Sequence, residues 1–151
     1  PDADLLGGTI SLHHVPEPEA KRTLFARCRD ALRPGGVFLM ADCFPARDEA
    51  LAARGWATWR RHLEGFYTPE ETTDYFEAWS GEDTHFPLED EMQWLQDVGF
   101  KPEVTWRKDP FAVVFCRGLR QDAGSRLANP GGAVTVVNES GFSNPNELPG
   151  G

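Results

Sequence analysis

No glycine-rich G-x-G-x-x-G loop follows any strand-like run in this sequence, no apolar stretch nears the ~20 residues of a membrane helix, and the arginines form no run. The first absence removes the usual phosphate cradle of a dinucleotide fold, and the second removes a spanning helix. The third, with a formal charge of −9, excludes the basic footprint of a nucleic-acid binder; the acidic balance favours solubility instead. Cysteine is scarce. Cys28, Cys43 and Cys116 are odd in number, widely separated and set in apolar runs. That pattern argues against a disulfide or metal framework and for buried free thiols in a reducing compartment, so the cytoplasm is the expected location. No signal-peptide core is visible, and no Ser-His-Asp, Cys-His or paired-carboxylate arrangement occurs at motif spacing.

What is present is concentrated in residues 4–44. Residues 3–11 are apolar with polar flanks, as in a buried strand. Pro16 and Pro18 mark a helix start, and Pro18 fits the first turn, where its missing N–H costs nothing. Ala20, Leu24, Cys28, Ala31 and Leu32 share one helical face, with Lys21, Arg22, Arg29 and Asp30 away from it. Glu17 and Glu19 at the start and Arg29 and Arg33 at the end suit the helix dipole. Pro34-Gly35-Gly36 should stop the helix, and residues 37–41 read as a second buried strand ending at Asp42. Strand, helix and strand with short connections make a βαβ unit with parallel neighbouring strands.

The ordered set Asp4, Leu12-His13-His14, Leu32-Arg33-Pro34-Gly35-Gly36 and Asp42 resembles the fourth-to-fifth-strand segment of class I S-adenosylmethionine-dependent methyltransferases. The likeness continues more loosely to about Gly118 through Trp94-Leu95 and Val98-Gly99-Phe100. It implies an α/β fold: a partial Rossmann-like sheet, a helical insert and a C-terminal antiparallel hairpin. It also implies S-adenosylmethionine as cofactor and a small-molecule acceptor. In such proteins the glycine-rich loop and the acid ending the second strand precede the matched region. The chain is therefore expected to be the C-terminal part of a longer protein, unable by itself to bind the cofactor or turn over. The strand near Asp4 would then have lost a neighbour, and self-association through the open edge is expected.

Ligands of open parallel sheets sit beyond the carboxyl ends of the strands. With the resemblance, this places Gly8, Thr9, Leu12 and His13 at the cofactor, and His14, Asp42, Trp56 and Trp59 on the acceptor side. Each has a plainer alternative. Gly7-Gly8 fits close approach of a ligand or tight packing. Asp42 could face a substrate or cap the following helix. Trp56, Trp59, Phe66, Tyr67, Tyr75 and Phe76 could be core or pocket wall. Adjacent histidines on an extended or turning backbone point apart, and no third ligand is evident nearby, so a metal is not expected at His13-His14. A general base there is open, as is a structural role. The loop Asp83-Thr84-His85 reads as solvated, though it could join the site.

The remaining pattern is helical, then extended. Residues 48–64 carry Leu51, Trp56, Trp59 and Leu63, with Gly55 a weak point. Thr68-Pro69-Glu70-Glu71 is a capping-box start for a helix to about Trp79 with Thr72 and Phe76 inward. Leu88, Met92 and Leu95 mark a third helix closed by Gly99. Residues 104–107 and 111–116 form a hairpin about Lys108-Asp109-Pro110. Residues 1–118 thus form the methyltransferase-like part. Residues 119–151, rich in Gly, Asn, Ser and Pro, read as a linker or poorly ordered tail in which only residues 133–137 are strand-like. Two rivals to methyl transfer remain: a non-catalytic binding or interaction module of the same fold, and a nicotinamide-dependent oxidoreductase, which would need a loop not found here.

Overall fold

The apolar runs at both ends of the βαβ pattern lie side by side in a computed structural model that describes residues 3–118 and 134–137. Strand β1 (Ala3–Thr9) pairs in parallel with β2 (Leu32–Cys43), joined by a 3₁₀ turn (Leu12–His14) and helix α1 (Pro18–Ala31). Pro18 sits in the first turn of α1 as expected. The Pro-Gly-Gly segment does not precede β2 but bulges from it. The ladder jumps from Ala3–Leu32 to Leu5–Val37, and Gly35 takes a left-handed φ of 84° that lets the chain loop out and return.

The core face of α1 differs from the one its apolar spacing suggests. Phe25 is its central core residue, and Lys21, expected outside, is 2% exposed while Ala20 is exposed. The Lys21 ammonium donates to Glu91 Oε1 at 2.5 Å, which ties α1 to α4 (Leu88–Asp97), and it lies 5.0 Å from the centroid of the Phe86 ring. A buried charge with a buried partner defeats polarity as a guide to the outer face.

Helices α2 (Glu49–Leu63) and α3 (Pro69–Glu82) form the insert after β2. Asp48 caps α2 by accepting from the Leu51 N–H, while the Leu51 side chain is exposed. Gly55 does not break α2. It is buried where a Cβ would meet Pro110 at 3.5 Å, so the hairpin turn rests on the helix there. The Thr68–Glu71 capping box is complete, and Thr72 is fully buried. Gly99 closes α4 with a φ of 94°, and Phe100 turns into the core.

Strands β3 (Phe100–Lys108) and β4 (Phe111–Gly118) form the antiparallel hairpin, with β4 inserted antiparallel beside β2. The sheet order is β3-β4-β2-β1-β5. The last of these, β5 (Val134–Val137), runs parallel along the free side of β1. The open edge expected at β1 is therefore closed by the chain itself, and among the described residues the edges are β3 and β5. The rest of 119–151, read from sequence as a tail, lies outside the described residues. Phe25, Phe38, Met40, Leu95, Phe100 and Val114 centre the core between the sheet and the pair α1–α4.

Candidate functional site

The carboxyl ends of β1 and β2 converge on Asp42. Beyond Thr9, Ile10 takes a positive φ of 47° and donates its N–H to Ala41 O at 2.8 Å, turning the chain across the end of β2. The 3₁₀ turn then lays its backbone on the Asp42 carboxylate: Oδ2 accepts from Leu12 N–H at 3.0 Å and His13 N–H at 3.3 Å. Oδ1 accepts from Cys43 N–H at 2.8 Å and from the His13 ring at Nδ1, 2.6 Å away. Asp42 caps no following helix, since Asp48 does that for α2. It organises the turn that carries the histidines. A carboxylate only accepts, so the His13 proton sits on Nδ1 and the Nε2 lone pair points away from Asp42.

The far side of His13 is the loop after α3. Asp83 N–H caps α3 on Trp79 O at 2.8 Å, and Thr84 N–H donates to His13 O at 2.9 Å, fastening the loop over the turn. Asp83 Oδ1 then lies 3.6 Å from His13 Nε2 and 3.3 Å from His14 Nδ1, with His85 Nε2 3.9 Å from Oδ2. The loop is not solvated as its polarity suggests: the Asp83 side chain is 8% exposed, and His85 Nδ1 is buried without a partner. Nor do the adjacent histidines point apart. On the tight 3₁₀ turn their ring centroids are 4.3 Å apart, and Asp83 is the nearby carboxylate the sequence reading lacked. The sequence carried no signal for this, because a three-residue polar loop has no periodicity from which its burial could be read.

Burial lowers the His13 pKa, but the Asp42 hydrogen bond and charge, with Asp83 behind, outweigh it, and the imidazole sits above its ordinary value. Burial raises Asp42, yet His13 and the Cys43 N–H hold its carboxyl below the usual range. Burial, helped by the His13 charge, pulls His85 down. The neighbouring thiols are inert: burial pushes Cys43 far up and Cys116 to about 12.

An unbroken series of rings leads away from this cluster. His85 lies 5.2 Å from His13 and 5.3 Å from Trp56; Trp56 lies 5.8 Å from Trp59. Trp59 stacks on Trp79 at 5.0 Å and meets Phe76 and Phe111 edge-on. Trp56 and Trp59 are half-buried, between core and surface.

Solved structures share this arrangement of strands and helices. A possible exported protein from Bordetella parapertussis matches over 78% of this chain and 39% of its own, at TM-score 0.55 and 18% identity. An O-methyltransferase family 2 protein from Planctomyces limnophilus, in complex with apigenin, matches over 79% and 31%, at TM-score 0.53 and 16% identity. PigF with SAH matches over 77% and 30%, at TM-score 0.50 and 14% identity. The fold is class I methyltransferase-like. No family model and no curated protein matches the sequence. This chain spans 39% and 31% of the first two structures, under half of the length of each.

Within that methyltransferase-like fold, the site residues expected from sequence divide into three groups. His13, His14 and Asp42 come together, with Leu12 joined through its backbone. Trp56 and Trp59 join them by way of His85. Thr9 is exposed at the end of β1, paired with Ala41, and Gly8 is buried where a Cβ would meet the Leu12 side chain at 3.4 Å, a packing contact.

Proposed function

We propose that this chain forms the acceptor side of an S-adenosylmethionine-dependent methyltransferase acting on a hydroxyl of a small, flat molecule, with His13 as general base. One observation carries this: a buried His13 oriented by Asp42 at 2.6 Å, at the ends of two parallel strands and at the head of a wall of rings. Asp42 fixes the Nδ1 tautomer and stabilises the imidazolium that forms when Nε2 takes the hydroxyl proton. The negative charge of Asp42 and Asp83 around the ring strengthens it as a base. Trp56 and Trp59 present half-buried faces on which a planar acceptor stacks. The Planctomyces limnophilus structure holds apigenin, a flat phenol, and the PigF structure holds SAH, the demethylated form of the cofactor.

The cofactor, when bound, supplies an electrophilic methyl on a cationic sulfur. Exposed Thr9 and Ile10, with the backbone turned at a positive φ, fit one rim of its cleft. The opposite rim requires a glycine-rich loop that this sequence does not contain. Three free cysteines, two of them buried, support a reducing, cytoplasmic location. Among the described residues no helix is long and apolar enough to cross a membrane.

The test is labelled-methyl transfer from S-adenosylmethionine to a panel of phenols by the protein encoded by the full reading frame. We expect His13→Ala to lower kcat about 10²–10⁴-fold while cofactor binding is retained. Turnover unaffected by that substitution removes His13 from the reaction. A second reading, a binding module without catalysis, is favoured by one observation: β5 runs parallel along β1 and closes that side of the sheet. Saturable quenching of tryptophan fluorescence by phenols, with no transfer by the full protein, would establish it.

A further inference from the structure

We propose that His13, His14 and Asp83 form a binding site for a divalent transition-metal ion of the zinc class. One donor atom from each lies within 4.8 Å of the others. Two separations are tighter: Asp83 Oδ1 is 3.6 Å from His13 Nε2 and 3.3 Å from His14 Nδ1. Ligands about 2.0–2.1 Å from a tetrahedral zinc ion stand about 3.3–3.4 Å from one another. Two of the three donor separations thus come within a few tenths of an ångström of a tetrahedral edge, and the third, between the two histidines and within 4.8 Å, closes by rotation of the half-exposed His14 ring. Two imidazoles and one carboxylate also match the donor preference of such an ion better than that of magnesium or calcium.

The surrounding groups hold these donors for that purpose. Asp42 accepts the Nδ1 proton of His13, the carboxylate–histidine support that orients a metal-bound imidazole and raises its donor strength. The Asp83 backbone is fixed by the end of α3, and the Thr84 N–H clamps the loop on His13 O. His14, with 46% of its side chain exposed, leaves an entry path and room for a water as fourth ligand. His85 Nε2, 3.9 Å from Asp83 Oδ2, stands close enough to hydrogen-bond the carboxylate after a small shift.

The consequence reaches the reaction. A metal ion on His13 Nε2 occupies the lone pair that deprotonation of an acceptor uses, so a bound ion and a working base exclude each other at this atom. The donor geometry is independent of methyl transfer, and metal binding is measured without it.

Cobalt(II) chloride is titrated into the 151-residue chain near neutral pH, and visible absorption is followed. We expect an intense absorption saturating at one equivalent, displaced by zinc chloride. Asp83→Asn and His14→Ala should each weaken binding at least tenfold. His14 is half-exposed and Asp83→Asn keeps the shape, so circular dichroism should show both folded. His62→Ala, which alters an exposed imidazole on α2, should leave the titration unchanged. Absence of saturable absorption overturns the site, as does binding that survives both variants or is lost with His62.

Discussion

At the scale of single residues, Asp42 accounts for most of the site. Its two oxygens gather three backbone N–H groups and one imidazole, and so tie the end of β2 to the histidine turn. Removing it leaves those donors buried and unpaired. Asp42→Ala is expected to destabilise the protein by about 3–5 kcal/mol, read from urea unfolding; a loss below ~1 kcal/mol would mean the turn holds without it. Gly36 is a second sensitive position, for steric reasons. A Cβ there would meet the backbone carbonyls of Ala3 at 2.9 Å and Arg33 at 3.0 Å, and neither can rotate away. Gly36→Ala should cost about 1–3 kcal/mol, and an unchanged midpoint would show that the bulge relaxes freely. Residues such as His13 and Asp42 were legible in sequence because they lie at strand ends in a recurring order. Asp83 and His85 were not, because a three-residue polar loop carries no period, and only tertiary contact separates a clamp from a solvated turn.

Elements were read more reliably than the faces they bury. Thr68 and Glu71 specified the start of α3 through side-chain chemistry that acts locally, so tertiary context could not alter it. Thr68→Ala should cost about 1 kcal/mol, measured by thermal unfolding. The inward face of α1 was not legible because the decisive partner, Glu91, is distant in sequence. Lys21 and Glu91 are both almost fully buried, so this pair behaves unlike a surface ion pair. Lys21→Ala strands a buried carboxylate and should cost about 3–5 kcal/mol, whereas the double change Lys21→Met with Glu91→Leu should be neutral or stabilising. Burial pushes Glu91 up to about 7 against the pull of Lys21. A folded-state pKa above the unfolded value means that the native protein binds the extra proton. The resulting stabilisation is complete below the ordinary carboxylate value of 4.5 and lost as pH rises to about 7. Unfolding free energy should therefore fall across that window, and the double variant should flatten the fall. A slope of equal size in both proteins would assign it to other groups.

For the whole molecule, the sheet order and the insert fix one side of a cleft, and cofactor affinity requires a concavity closed on several sides. Titration calorimetry of the 151-residue chain with S-adenosylmethionine should show no saturable heat. Micromolar binding would mean that the cofactor site is built from residues other than the rim at Thr9. The fold class and the hairpin were legible because β1, β2 and β4 are apolar runs punctuated by Gly and Pro. The role of residues 134–137 was not, since four residues of strand character among many Gly and Asn say nothing of which edge they will join. That edge has a kinetic meaning. The β1–β2 and β3–β4 ladders join segments near in sequence, whereas Leu5 meets Val134 across almost the entire chain. Loop-closure entropy grows with separation, and non-local pairings form slowly. The fifth strand should therefore dock last during folding and leave first during unfolding. In hydrogen exchange, the amides of β5 should open well before those shared by β2 and β4, and during that interval the flank of β1 stands ready to accept any other strand.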